Sequence, residues 1–279
     1  MIKRQASSAA VADMMRALSS HAIHTAVGFN PTTFKFCAFH ARRDGTAVPV
    51  QYRGIHRLIR SVFYPDFDYT KTKVVRSQLK SAAPPASREA YFAWLDSLPR
   101  ALGREGGLLF AKTVEDCHFL NNPEVDDKTA ERDVLYRQFK EFVTTRGYEV
   151  LKCEFILNDP LLGFSTRVDL IVALKDTLFL VELKTGFADG KFVAGTGKMN
   201  RVAEVLFRDN SPKNQAILQV LLPTLTVSHY TGVCATPVVW HVQPDGVTEH
   251  FFQWPLGGVS AREKLYTTVL NDIADAAQD

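Results

Sequence analysis

Cysteine is scarce in this 279-residue chain: there are four, Cys37, Cys117, Cys153 and Cys234, each far from the next. No CxxC pair occurs to suggest a zinc-ribbon or iron-sulfur site, and the spacing is too sparse to suggest a disulfide-stapled secreted domain. The thiols fit a reducing, intracellular compartment, cytoplasmic or nuclear. Long apolar runs are also missing. The longest candidates, such as Leu178–Leu183, end in charge and fall short of the ~18–20 residues that cross a bilayer, so the sequence predicts no membrane partner. Internal repeats and low-complexity tracts are absent, and the glycines at 190, 195 and 197 lack the spacing of a phosphate-binding loop. With 46% hydrophobic, 23% charged and 11% aromatic residues, the composition excludes disorder, collagen and coiled coil.

Net charge is small, +3 from 33 Lys and Arg against 30 Asp and Glu, but its distribution is uneven. Between Arg42 and Lys80 nine basic residues face three acids. Arg53, Arg57, Arg60, Lys71, Lys73 and Arg76 interleave there with Tyr52, Phe63, Tyr64, Phe67 and Tyr69, a mixture that suits phosphate contacts with base stacking and equally describes a solvated basic face. The first 30 residues carry Lys3, Arg4 and Arg16 with the single acid Asp13, as a mitochondrial presequence does. Ile2, Ala6, Ala10, Met14 and Leu18 also recur at helical spacing, so an ordinary amphipathic helix is the other reading.

Hydrophobic periodicity predicts the elements. Phe34–Ala41 and Val48–Arg53 flank the turn dipeptide Asp44-Gly45 as a hairpin, and Gly54–Phe63 reads as helix. Pro84-Pro85 marks the best boundary, dividing an amino-terminal basic α+β region (1–86) from a second domain (87–279). Ser87 is placed to cap a helix through Leu98, and Gly103 to Gly107 reads as a loop, with Glu115, Asp116 and His118 in a loop beyond it. Asp127 or Thr129 then caps a helix to Arg146 whose apolar face is Leu135, Phe139, Phe142 and Val143, with Gly147 ending it. Three strands follow, Tyr148–Leu157, Phe164–Leu174 and Leu178–Lys184, the third apolar on both faces and hence central. The segment 189–198 reads as a mobile loop. A helix from Pro212 stops before Pro223, a strand pair (Val233–Val242, Val247–Trp254) surrounds Pro244-Asp245-Gly246, and a last helix covers Ala261–Ala276. The order predicts an α/β fold with a mixed central sheet.

Charge at one end of that apolar sheet is the unusual feature. Glu182 and Lys184 lie two apart on the central strand and leave the same face, and the hairpin brings Asp169 roughly opposite them. Two carboxylates so buried need compensation. A divalent cation with hard oxygen ligands, Mg²⁺ or Mn²⁺, supplies it and engages phosphate, and the ammonium can orient a metal-bound water. A plain cross-strand salt bridge is the competing reading.

Asp169 followed by Glu182-Leu183-Lys184-Thr185-Gly186, with Asn214-Gln215 and Gln219 on the next helix, resembles the catalytic motif of the PD-(D/E)xK nuclease superfamily, in its RecB-like and lambda-exonuclease-like branch. Helix, three strands, helix, strand over about 126–254 is similar to that family's αβββαβ order. The resemblance implies a restriction-endonuclease-like core with Asp169, Glu182, the Leu183 carbonyl and Glu131 around the metal. It further implies Lys184 as catalytic lysine, and Gln219 or Gln215 as the helix glutamine. Glu131 sits on the inward stripe, whereas Glu141 faces solvent. Val168 stands where the family usually has proline. The implied activity is a Mg²⁺-dependent DNA exonuclease or flap-type nuclease, with an RNA-cleaving enzyme or an inactive nucleic-acid-binding module of the same fold as alternatives.

Overall fold

A computed structural model describes residues 8–20, 28–30, 35–41, 47–63, 100–120, 129–130, 133–186, 190–195, 206–207, 211–252, 254 and 259–275. The chain forms helix α1 (Ala9–Ser20), strands β1 (Gly28–Asn30), β2 (Lys35–Ala41) and β3 (Ala47–Gly54), and helices α2 (Ile55–Phe63), α3 (Arg100–Leu120) and α4 (Val134–Arg146). Strands β4 (Glu149–Asp159), β5 (Phe164–Leu174) and β6 (Thr177–Thr185) follow, then helix α5 (Pro212–Thr231), β7 (Thr236–Gln243), β8 (Gly246–Phe251) and helix α6 (Val259–Asp275). The expected α/β architecture, a mixed sheet flanked by helices, is therefore present. Among the described residues no helix is long and apolar enough to cross a membrane. The Asp44-Gly45 turn, the helix expected from Ser87 and the boundary at Pro84-Pro85 lie outside the described residues.

β4, β5 and β6 form an antiparallel meander, β6 pairs in parallel with β7, and β8 closes that edge antiparallel to β7. The amino-terminal strands join the same sheet, because β3 pairs in parallel with the start of β5 (Arg53↔Phe164, Gly54↔Ser165). Alternation along β6 decides which layer each side chain meets. Leu178 and Leu180 enter the core shared with α1, α2, α5 and α6, whereas Phe179, Val181 and Leu183 enter the one shared with α3 and α4. With both faces covered, β6 is buried from Leu178 to Leu183, as its continuous apolar run requires.

Local chemistry explains the helix ends, including the shifted cap of α4, and tertiary packing explains two further departures from expectation. The cap of α4 is Asp133, not Asp127 or Thr129: its Oδ1 accepts from the backbone N–H groups of Leu135 (2.9 Å) and Tyr136 (3.1 Å). Gly147 ends the helix in the left-handed conformation (φ 74°). Leu135, Phe139 and Val143 are buried as the periodicity requires, and Phe142 packs edge-on to Trp240 of β7 with ring centroids 5.1 Å apart.

Gly103 to Gly107 lies within α3 instead of a loop, and His118 is in that helix's last turn. A Cβ on Gly107 would meet Thr185 Oγ1 at 3.3 Å, so this glycine serves close approach of the helix to the end of β6. α5 runs through Pro223 to Thr231. An interior proline costs about 3 kcal/mol and leaves the carbonyl four residues earlier without its helical donor. Leu218, Leu221, Leu222, Leu225 and Val227 are almost wholly buried, and each contributes roughly 1.5–3 kcal/mol. Burial therefore outweighs the break.

A buried polar knot fastens the far end of β4 to α5 and α6. The Asp159 carboxylate accepts from Leu161 N (3.0 Å), Leu162 N (2.8 Å), Thr226 Oγ1 (2.8 Å) and the Tyr266 hydroxyl (2.9 and 3.1 Å). Four donors on one fully buried carboxylate satisfy its lone pairs, which is what a buried charge needs.

Candidate active site

The carboxylates come together where the sheet splits. β4 occupies one edge of β5 from Phe164 to Ala173, so β3 and β6 must share the other. β6 pairs only with Leu170–Leu174, and β3 only with Phe164 and Ser165. Between these ladders no strand among the described residues pairs with the edge of β5 from Thr166 to Asp169. Continuing the register beyond Leu170↔Val181 sets Asp169 opposite Glu182. There the Asp169 side chain takes over from the backbone: its Oδ2 accepts the Leu183 N–H at 2.7 Å. A strand residue that exchanges bonds with its neighbour turns both N–H and C=O to the same edge, so the Leu183 carbonyl also faces the split.

Glu182 and Lys184 leave the α5 face together. Lys184 Nζ donates to Glu182 Oε1 at 2.5 Å and to Gln219 Oε1 at 2.9 Å. Of the two helix glutamines, Gln219 is the one bonded to the lysine; Gln215 lies one turn earlier, half-buried. Glu182 is 9% exposed, yet Lys184 supplies only one positive charge against two carboxylates. Burial first, and then the Glu182 charge, push the Asp169 carboxyl well above the usual carboxylate range, although Lys184 and the Leu183 N–H oppose the shift.

Two acids beyond the expected set bear on the same place. Glu154 of β4 stands opposite Asp169, between the pairs Cys153↔Leu170 and Phe155↔Val168, with a left-handed backbone (φ 50°) that is uncommon for a residue with a side chain. It pairs with Arg167 Nη1 at 2.9 Å. Burial raises its carboxyl, Arg167 lowers it, and Glu115 and Glu182 raise it further. Glu115, on α3, is thus close enough to be felt, whereas its neighbour Asp116 is exposed and paired with Lys112 (3.1 Å). The Cys153 thiol is pushed up to about 12 by burial and then by Glu115, Glu154 and Asp169. Glu154 was countable from the β4–β5 register; its backbone conformation and its arginine partner carry no sequence signal.

The other expected residues are placed unevenly. Glu131, Lys71, Lys73 and Arg76 lie outside the described residues. Arg53 and Arg57 are exposed, on β3 and α2, and Arg60 lies on α2 as well. Glu141 is exposed, as its helix position predicts, beside a shallow hollow of about 320 Å³ on the outer side of α4 remote from the carboxylates. Within 189–198, the part expected as a mobile loop is anchored among its described residues: Phe192 is buried and stacks on His241 with ring centroids 4.2 Å apart. Among the described residues no group of three or more His, Cys, Asp or Glu side chains is arranged to hold a metal ion unaided.

Compared with known proteins, the chain matches no family model and no curated sequence.

Proposed function

We propose that the chain is a metal-dependent nuclease of restriction-endonuclease-like core that hydrolyses phosphodiester bonds, DNA being the preferred substrate and strand ends or flaps the preferred sites. The single observation that carries this reading is the split between β5 and β6, where Asp169, Glu182 and the Leu183 carbonyl face one place and Lys184 stands beside them. The half-buried Asp169 carboxyl, held well above the usual range by desolvation and the Glu182 charge, marks a site short of positive charge, and hard oxygen donors suit Mg²⁺ or Mn²⁺. Asp169, Glu182 and the Leu183 carbonyl would hold the ion, with water and substrate completing its shell. When bound, it would supply charge neutralisation for the phosphate and acidify a water.

The chain's own residues do the remainder. Gln219 and Glu182 fix the Lys184 ammonium at the rim of the split, where it can donate to a phosphate oxygen or orient the attacking water. Glu154 draws Arg167 to itself and adds negative potential next to Asp169. The order α4, β4, β5, β6, α5, β7, with β6 and β7 parallel, supports the same family reading. The test is cleavage of labelled single-stranded, double-stranded and flap DNA, with RNA alongside, in Mg²⁺, Mn²⁺ or EDTA. Cleavage that needs metal and vanishes in Asp169→Ala is expected. Full activity in that variant overturns the assignment, and binding without cleavage would leave a nucleic-acid-binding module.

A further inference from the structure

One strand beyond Lys184, on the same face of the sheet, lies a cavity of about 190 Å³ lined by Gly190, Phe192, His241, Gln243, Thr248 and His250. Its position follows from register. His241 of β7 pairs with Lys184, and adjacent strands lie roughly 5 Å apart, so the cavity opens about one or two strand spacings from the lysine. His241, Gln243, Thr248 and His250 occupy successive same-face positions of β7 and β8, with His241↔Thr248 and Val239↔His250 in register.

The walls are aromatic and held in place. Phe192 stacks on His241 and lies 5.3 Å from the His250 ring, and its carbonyl accepts the Lys213 N–H (2.9 Å) at the first turn of α5. His241 Nε2 donates to the Gly186 carbonyl at 2.7 Å, which ties this wall to the strand that carries Lys184. His250 Nε2 is buried and has no hydrogen-bond partner among the described residues. A buried polar atom beside a cavity is either wetted or awaits a ligand group.

The chemistry of the walls narrows the occupant. Burial lowers both imidazoles, and His250, next to His241 and Lys213, is pushed down to about 4, so neither is a cation at neutral pH. An anion therefore finds no charge-assisted donor on these rings, while a neutral planar heterocycle finds the half-buried His250 ring with its unpartnered Nε2, an amide and a hydroxyl, backed by Phe192 and His241, which are stacked on each other and almost wholly buried. The volume is below the ~300 Å³ of ordinary ligand pockets and admits one ring system.

We propose that this cavity receives a single unpaired nucleobase of the strand whose phosphodiester lies at Asp169, Glu182 and Lys184, and so favours substrates unpaired at that position. The proposal rests on the nuclease reading and adds to it a substrate class. A base inside the cavity cannot also be stacked and paired in a duplex, so a paired strand must flip or fray there, as enzymes that read a base outside its stack require. Stacked steps rise about 3.4 Å, which puts the base roughly one to three nucleotides from the attacked phosphate.

The experiment uses the full chain in EDTA, where no cleavage occurs. Affinity is measured by fluorescence anisotropy for single strands with one abasic residue moved step by step past the position cleaved in Mg²⁺. One position should weaken binding by about 5- to 150-fold, the range that loss of one stacked base produces. Phe192→Leu, which removes the buried ring that backs His241 and His250, and His250→Ala, at a half-buried ring, should each bring the intact strand toward the abasic value and flatten the profile. A nucleoside monophosphate added to the wild type should shift the imidazole resonances of His241 and His250. A flat profile in a chain that binds and cleaves overturns the base pocket alone. No binding to any strand, with no resonance shift, overturns the pocket and the nuclease reading together.

Discussion

Asp169→Asn isolates the charge of the half-buried carboxyl from its hydrogen bond. The amide keeps an oxygen to accept the Leu183 N–H, which lies at 2.7 Å in the wild type, and removes only the ionisation. In the unfolded chain an aspartate titrates near 3.9, whereas in the folded protein burial and then Glu182 raise it well above that. Between the two values the folded protein holds a proton that the unfolded chain has released. The stability from this group is therefore whole below the unfolded value and is lost as pH rises through the folded one, with a slope of up to about 1.4 kcal/mol per pH unit. Urea unfolding in EDTA across pH 4–9 should show wild-type stability falling relative to Asp169→Asn through that window, then levelling. Mg²⁺ at about 100 times its dissociation constant should return roughly 2.7 kcal/mol to the wild type at high pH and little to the variant. A flat difference would refute the account of a desolvated, raised carboxyl, and equal stabilisation of both proteins by Mg²⁺ would refute the metal role of Asp169.

Lys184→Ala should lower turnover by about 10²- to 10⁴-fold and Gln219→Ala by up to about 100-fold, while calorimetry still detects the metal, because neither supplies a ligand oxygen; loss of metal binding would reassign the lysine. Tyr266→Phe leaves the Asp159 knot one donor short and should cost about 1.5–3 kcal/mol in urea unfolding, with Thr226→Val coupled to it non-additively. A cost near zero would mean the knot is not a stability element. Neutralising the exposed Arg53 and Arg57 together should reduce the slope of log affinity against log salt by about 2 on duplex DNA, and unchanged binding would show a solvated basic face.

Period and turn chemistry carried most of the carboxy-terminal half. The three-strand meander, the stripe of α4 and the Gly147 stop are each written in residues that act locally, so they are legible one by one. The misreadings at Pro223 and Gly107 share a cause, tertiary contact that overrode local preference, whereas the α4 cap was missed among several local candidates. Pro223 breaks helices in isolation but lies in a turn whose neighbours are buried on all sides, and Gly107 reads as loop until Thr185 is known to press against it. The site divides in the same way. Asp169, Glu182 and Lys184 were visible because strand alternation and a short hairpin fix their relation. The contribution of Glu115 depends on how α3 lies across the sheet, and that of Phe192 on the bond from Lys213, neither of which has a sequence signature.

The β5–β6 hairpin has a bearing on tolerance to insertion and deletion. Its turn is Lys175-Asp176, with Leu174 paired to Thr177, and Asp169 and Glu182 each lie six residues from it, one on either arm. The carboxylates face each other because the two arms count equally. Removing one residue from either arm would slide every later pair and turn half of the side chains to the opposite layer. Lengthening the hairpin at its tip by one residue on each side would preserve the match and move the turn outward. The spacing of this site is thus stored as chain length, and evolution or engineering can alter the hairpin only in balanced steps.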